Sequence, residues 1–484
     1  MADSALKKKT TVSLFWSFLD KFGEQFIYLI SSVVLMRIID ASEYGLMGTL
    51  LVFTVASRLL IDSGFGRALI NRKIVSEKEY SSVFYFNTAL SILLYIIFFI
   101  AAPSIAYFFH EPQLNLISRI LFLSFVFYSF GLIHQTLLIK RADFRGLTKI
   151  NIPALLIAAV IAIVMALKGY GVWALVSQNL IYSFLRTSFL WIYSRWRPTA
   201  EFSSKAIRTF LAFSNKLLLS GMIAAIFNNI YPNIIAFFYP NSMNQVGYFS
   251  QANKYQDIPF GMISNTFRSV SMLILSEINK ETKRLKRIVS KMMKSISFLV
   301  FPIGLYMVFA AEPAFHFFVG EKWNAAIPYF KVLTLAGILS PYTFILNELF
   351  VARERADFFL GVEIVKRIIL VLLIFLLFKH GIMGLAASWV IYTFITVIIS
   401  LVLSQKLIYY SFINFFKDTS PYLIIALVSN LLGYIFTLRI THNFSFLLTS
   451  FIIVFGSYWV ICKLWKLEMM KEIESWFSSK KRSA

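Results

Sequence analysis

Cysteine is nearly missing from this chain of 484 residues. Cys462 stands alone, so neither an intramolecular disulfide nor a metal site of paired cysteines can form. Histidine is scarce too. His110, His134, His316, His380 and His442 are scattered, and no HExxH, GxSxG or Walker-type spacing occurs, which leaves no motif for a metal, a nucleophile or a nucleotide. No cofactor is expected. Charged residues make up only 15% of the chain, against about 25% in a soluble domain. Apolar residues fill the space they leave: 58% of the chain is hydrophobic and the mean hydropathy is +0.72. Such a chain belongs in a membrane. The first apolar run starts at Val12, carries Asp20, Lys21 and Glu24 and continues to Val34, which is the wrong pattern for a cleavable signal peptide. The 51 phenylalanines read as lipid-facing or core residues, not as a base-stacking surface.

Measured against the roughly 20 residues that span a bilayer, the apolar runs predict fourteen transmembrane helices. They fall near 14–36, 44–66, 82–109, 115–138, 151–167, 171–193, 211–237, 247–275, 292–311, 327–350, 359–378, 382–404, 420–438 and 445–464. The seventh and eighth are the most polar, carrying Asn228, Asn229, Asn233, Lys254 and Asp257. With the N-terminus and its Lys7, Lys8 and Lys9 placed inside, 32 of the 47 Lys and Arg fall at one set of alternate ends, 7 at the other, and 8 within spans. The net charge of +23 is thereby a topology signal, and nucleic acid is not an expected partner. Both termini are expected in the cytoplasm.

The halves repeat. RADF occurs at 141–144 and again at 355–358; IYSF at 181–184 matches IYTF at 391–394. Gly171-Val172 pairs with Gly381-Ile382, and Glu43-Tyr44-Gly45 resembles Gln245-Val246-Gly247. The expected fold is therefore all-α and integral to the membrane: two pseudo-symmetric six-helix lobes, 1–200 and 201–410, with two further spans and a basic tail in 411–484. Parallel repeats of this kind hold substrate between lobes near the midplane. The second span also carries charge at depth. Arg58 and Asp62 are four residues apart and share a helical face, and at 1.5 Å per residue Arg58 lies roughly 20 Å below Tyr44. Ionisable groups so deep normally face a protein interior or a watery cavity.

Several stretches resemble one family. RIIDASEYG followed by DSGFGRALINRK, HQTLLIKRADF (134–144), GYGVWALVSQNL (169–180), SRWRP (194–198), GYFSQANKY (247–255) and FFVGEKWNAAIPYFKVLTLAG (317–337) are similar to oligosaccharide flippases of the multidrug/oligosaccharidyl-lipid/polysaccharide exporter superfamily. The branch with colanic-acid and teichuronic-acid exporters is the nearest. The resemblance implies a V-shaped two-lobe fold in a bacterial inner membrane and transport of undecaprenyl-diphosphate-linked glycan to the periplasmic leaflet. Membrane lipids are the other partners implied, with polysaccharide polymerase and chain-length proteins as further candidates and a monomer as the working unit.

Such a substrate is anionic at its head, polar beyond it and greasy at its tail. Arginine suits the diphosphate because its planar fork bonds two oxygens at once. The candidates are Arg58 and Arg268, then Lys21 and Lys254, with Asn228, Asn229 and Asn233 for the sugars. Asp62, Glu24 and Asp257 are candidates to exchange a proton or Na⁺. A plainer reading stands beside this one: Lys21/Glu24, Lys254/Asp257 and Arg58/Asp62 have the spacing of self-neutralised pairs that fix helix packing. Arg268 has no acidic residue three or four positions away, which points to a ligand or an inter-helix contact. Glu348 and Asn347 read as capping or interfacial, the RADF loops as topology signals, and Lys280–Lys294 as an amphipathic linker on the anionic leaflet. Two other functions compete. A glycan polymerase or ligase needs a sizeable outer loop with catalytic residues, and the longest here, around Glu312–Asn324, has one His and one Lys. A cation-coupled drug antiporter favours acidic cavity residues, whereas the deep charges here include Arg268.

Overall fold

The computed structural model describes residues 2–278, 281–352 and 356–482, with side chains at all of these except 2–15, 17–18, 213, 216–217, 220, 269–270, 272–274, 276–277, 350–360 and 476–482. The side chains of Lys7, Lys8 and Lys9, Lys280, and the second RADF copy lie outside the described residues.

Two compact units form, Met1–Gly247 and Tyr248–Ala484. The first contains α1 (Ala2–Ile38), α2 (Ala41–Asp62), α3 (Phe65–Asn71), α4 (Glu77–Phe108), α5 (Gln113–Leu121), α6 (Ser124–Lys140), α7 (Phe144–Leu167), α8 (Val172–Ser194), α9 (Ser204–Asn229) and α10 (Tyr231–Phe238). The helix α11 (Met243–Glu277) starts in the first unit and runs into the second. The second unit continues with α12 (Thr282–Phe309), α13 (Ala311–Phe318), α14 (Ile327–Ala352), α15 (Ala356–Leu377), α16 (Gly381–Ile408), α17 (Phe412–Thr437), α18 (Asn443–Leu464) and α19 (Glu468–Arg482).

Helix covers every one of the fourteen expected segments, but fewer meet the length and hydropathy needed to cross a bilayer. Among the described residues nine stretches do, or ten if a bent pair within α9 and α10 counts as one span. The shortfall has two causes. Polar and charged residues lower the average of α1, α8 and α11. The stretch Gly361–Ile408 is also counted once although its 48 residues contain both α15 and α16; end to end they would reach about 72 Å, more than twice a hydrocarbon layer of about 30 Å. They pack against each other instead.

Local chemistry sets the helix starts. Ser76 accepts the Glu79 N–H at 3.3 Å while Glu79 accepts the Ser76 N–H at 2.9 Å, a reciprocal cap that opens α4. Ser411 and Asn414 do the same for α17. Packing order recurs between the units: α4 on α6, α6 on α8 and α7 on α8 in the first, and α12 on α14, α14 on α16 and α15 on α16 in the second. The first unit is cored by Phe65, Val83, Phe84 and Trp196, the second by Phe260, Tyr342, Ile345 and Tyr410. Large apolar side chains such as Ile100, Ile192 and Phe436 point outward, as a chain solvated by lipid requires.

Candidate functional site

The second expected span is broken. Its helix α2 stops at Asp62, and Ser63 (φ 49°) and Gly64 (φ 72°) both take left-handed conformations before α3 resumes at Phe65. The break frees backbone groups, and side chains satisfy them. Asp62 accepts the Gly66 N–H at 3.4 Å, and the Lys140 ammonium donates to the carbonyls of Leu69 at 2.9 Å and Arg72 at 2.8 Å, closing the far end of α3. Asp62 is thus committed to the break, and the expected Arg58–Asp62 ion pair does not form among the described residues. Four-residue spacing allowed that pair, but the Arg58 side chain turns to α6, where its guanidinium lies 5.6 Å from the centre of the Tyr128 ring.

Around Arg58 the first unit gathers polar residues from four other helices. On α1, Lys21 pairs with Glu24 at 3.1 Å and lies 3.9 Å from Asp20, so this expected pair is present. Asp20, only 3% exposed, accepts from the Asn151 amide of α7 at 3.2 and 3.3 Å. The amide oxygen of Asn151 accepts from the Arg186 Nε of α8 at 2.9 Å. Tyr182, one turn back on α8, donates to Glu24 at 3.4 Å. Arg186 and Tyr182 are within electrostatic reach of Arg58, and Tyr128 feels both arginines. Arg58 makes no hydrogen bond or ion pair with any described residue, and its Nε is buried without an acceptor. Asp20, Asn151, Tyr182, Arg186 and Tyr128 were not singled out from sequence. Asp20 and Arg186 gave a signal there, as charges inside apolar runs; the Asn151 that joins them sits on a third helix.

The asparagines lie at a second break. Pro232 opens α10, and the helix axis turns by 46° between Gly221–Asn229 and Tyr231–Phe238. Asn233 donates to the Thr49 carbonyl of α2 at 2.9 Å, and its own amide oxygen is buried without a partner. Asn229 is turned back onto Ala225 of its own helix at 2.8 Å, and Asn228 is exposed in the last turn of α9.

In the second unit, Arg268 is not a lone cation: its Nε donates to Glu348 of α14 at 2.8 Å, the inter-helix alternative, and this removes it from the argument against drug antiport. The Arg268 side chain remains 52% exposed. Beside Glu348, Asn347 accepts from the Lys366 ammonium at 3.0 Å, and Lys366 also donates to Glu363 at 3.2 Å. The other Glu363 oxygen lies 3.6 Å from Arg367. Lys366 is only 2% exposed, a buried charge that sequence reading left unassigned. Lys254 has its ammonium 5.5 Å from the Tyr255 ring. No ion pair between Lys254 and Asp257 occurs among the described residues, and the Asp257 side chain is exposed. No group of three His, Cys, Asp or Glu suited to a metal ion occurs among the described residues.

Comparison with known proteins places this architecture. The polysaccharide biosynthesis protein family matches residues 34–328, more than half of the chain. The teichuronic acid biosynthesis protein TuaB of Bacillus subtilis is 25% identical over 340 residues, which cover 67% of this chain and 70% of that protein. The lipopolysaccharide biosynthesis protein WzxC of Escherichia coli K12 is 24% identical over 73% of this chain and 72% of its own length. Among solved structures, the lipid II flippase MurJ in an inward closed conformation superposes with a TM-score of 0.76, covering 94% of this chain and all of that one at 16% identity, a likeness of fold. The chain belongs to the polysaccharide biosynthesis protein family, as a Wzx-type exporter of the multidrug/oligosaccharidyl-lipid/polysaccharide superfamily.

Proposed function

We propose that the protein is a flippase, not an enzyme, that moves undecaprenyl-diphosphate-linked oligosaccharide repeat units from the cytoplasmic to the periplasmic leaflet of a bacterial inner membrane by alternating access. In this reading all fourteen segments cross the bilayer, both termini are cytoplasmic, and two six-span lobes precede two further spans. One observation carries it. Arg58 lies mid-span with no counter-ion among the described residues, next to a second cation, Arg186. An uncompensated cation in hydrocarbon is costly, and an anionic head group offsets that cost. The relatives supply the chemical class: one is named for teichuronic acid biosynthesis and the other for lipopolysaccharide biosynthesis. Lys21 and Lys254 are secondary cations for the head group, Arg268 offers its exposed edge, and Asn228, Asn229 and Asn233 face the glycan. Of the carboxylates proposed to exchange a proton or Na⁺, Glu24 is tied to Lys21 and Asp62 to the break in span 2, so exposed Asp257 is the freest to do so.

The test is leaflet-resolved. Cells depleted of the protein should accumulate one lipid-linked repeat unit shielded from a periplasmic glycan-modifying probe, and re-expression should clear it. Arg58→Ala should fail to clear it while still reaching the membrane, and Arg58→Lys should restore part of the transport. Charge-assisted hydrogen bonds of about 1.5–3 kcal/mol translate into a loss of about tenfold to a hundredfold. Normal lipid-linked glycans in depleted cells would refute the proposal.

A further inference from the structure

We infer that Arg186 is a second ligand-binding arginine and that, with Arg58, it forms a two-pronged grip selective for a diphosphate over a monophosphate. The inference rests on the flippase reading and deepens it.

Arg186 is hydrogen-bonded without being neutralised. Its only bond among the described residues runs from Nε to the Asn151 amide oxygen at 2.9 Å. Asn151 in turn donates to Asp20 at 3.2 and 3.3 Å. An amide between a carboxylate and a guanidinium transmits orientation but carries no charge. Had residue 151 been an aspartate, Arg186 would sit in a salt bridge. As built, the negative charge of Asp20 acts on Arg186 only through space and is shared with Lys21, and among the described residues the Nη atoms of Arg186 meet no carboxylate within 4 Å. The arrangement holds the fork still and leaves its charge available.

Arg58 is kept in the same state by different means. The face of Tyr128 supports its guanidinium at 5.6 Å, and a ring face orients a cation without cancelling it. The helices that carry Arg58, Tyr128 and Arg186 (α2, α6 and α8) pack on one another in all three combinations. Tyr128 lies within electrostatic reach of both arginines, and the two arginines repel each other. Two like charges held together, neither ion-paired to a carboxylate among the described residues, are unfavourable until an anion arrives. A diphosphate has one phosphoryl group for each fork. A monophosphate satisfies one fork and leaves the other cation exposed.

The test uses the purified full-length protein in lipid nanodiscs, with polyprenyl diphosphate and polyprenyl monophosphate of equal chain length as probes. The wild-type protein should bind the diphosphate at least about tenfold more tightly. Arg186→Gln should bring the two affinities together, mainly by weakening the diphosphate, and Arg186→Lys should keep part of the difference. Asn151→Asp retains the arginine and gives it a counter-ion, with Asp20 taking up a proton across the 3.2 Å contact that the Asn151 amide now fills, so it should lose the preference just as Arg186→Gln does; it decides the matter if Arg186→Gln does not accumulate. A purely structural Arg186 predicts equal weakening for both probes. An unchanged or proportionally weakened preference in both variants overturns the inference and leaves the flippase reading intact. A wild-type protein that binds neither probe overturns that reading, and the inference with it.

Discussion

Lys366 shows how far a single side chain is governed by neighbours its own sequence does not display. Its side chain is 3% exposed within an apolar helix, and its ammonium is held by Asn347 from one helix and Glu363 from its own. Glu363 serves two cations, with one oxygen 3.2 Å from Lys366 and the other 3.6 Å from Arg367. Removing the shared anion takes the counter-ion from Lys366 and a contact from Arg367 together, whereas removing Lys366 leaves a simple pair. Breaking a buried pair typically costs about 3–5 kcal/mol, so Glu363→Gln should lower the thermal unfolding midpoint of the purified protein more than Lys366→Met does. The opposite order would mean that Glu363 is not the keystone. The same logic explains what was legible at this scale. The Lys21–Glu24 pair was readable because both partners lie on one helix turn. Arg268–Glu348 and Asp20–Asn151–Arg186 were not, because those contacts join residues 80 and 131 positions apart or bridge α7 to α8.

At the scale of the element, the apolar runs located the helices well and their interruptions poorly. The second span, expected to end at residue 66, runs on to Asn71: the chain turns through Ser63 and Gly64 and starts α3 in the following residue. Two consecutive left-handed residues redirect a helix without ending it, and glycine spacing does not separate these outcomes. Other close approaches fix how elements meet. Glu43 reaches from the first turn of α2 to accept the Val172 N–H that opens α8, at 3.1 Å. A β-carbon on Gly171 would fall 1.8 Å from that Glu43 oxygen, at a residue whose φ is +53°. Gly171→Ala should therefore detach the two helix starts and reduce protease resistance of the folded protein, while Gly169→Ala, which meets no atom within 4 Å, has only its φ of +81° against it and should do less harm. Limited proteolysis of the two variants side by side checks this. The start of α11 makes a similar approach onto backbone: a β-carbon on Gly45 would lie 2.1 Å from the Met243 carbonyl, and one on Gly247 would lie 1.8 Å from the Ala41 carbonyl. Gly45 and Gly247 are the repeated turn glycines, so the duplicated positions meet reciprocally, backbone to backbone.

For the whole molecule, the duplication leaves a chemical trace as well as a packing one. Tyr182 and Tyr392 hold the same place in the IYSF and IYTF repeats. Tyr182 faces Arg186, Glu24 and Asp20; Tyr392 faces Arg367 and Glu363. Each unit has a tyrosine at the matching position beside an ionic cluster, with different charged residues around it, so motif matching finds the tyrosines and misses the clusters. The basic stretch before the second unit's core has a more specific use than lipid attraction alone. Lys291 pairs with Glu472 at 2.7 Å, and Lys294 with Glu468 at 2.5 Å and Asp418 at 3.5 Å, so α19 is clamped to α12 and α17 while Met470 is 2% exposed in the core. Ending the chain after Lys466 should expose that core and lower the yield of monodisperse protein on size-exclusion chromatography; Lys291→Ala with Lys294→Ala should reproduce part of the loss. This clamp also has a consequence for biogenesis. Lys294 and Glu468 are 174 residues apart, so during synthesis Lys294 can meet Asp418 only once α17 has been made and Glu468 only once α19 has. Lysines that read from sequence as a topology signal are thus, in the folded second unit, internal fastenings between α12, α17 and α19.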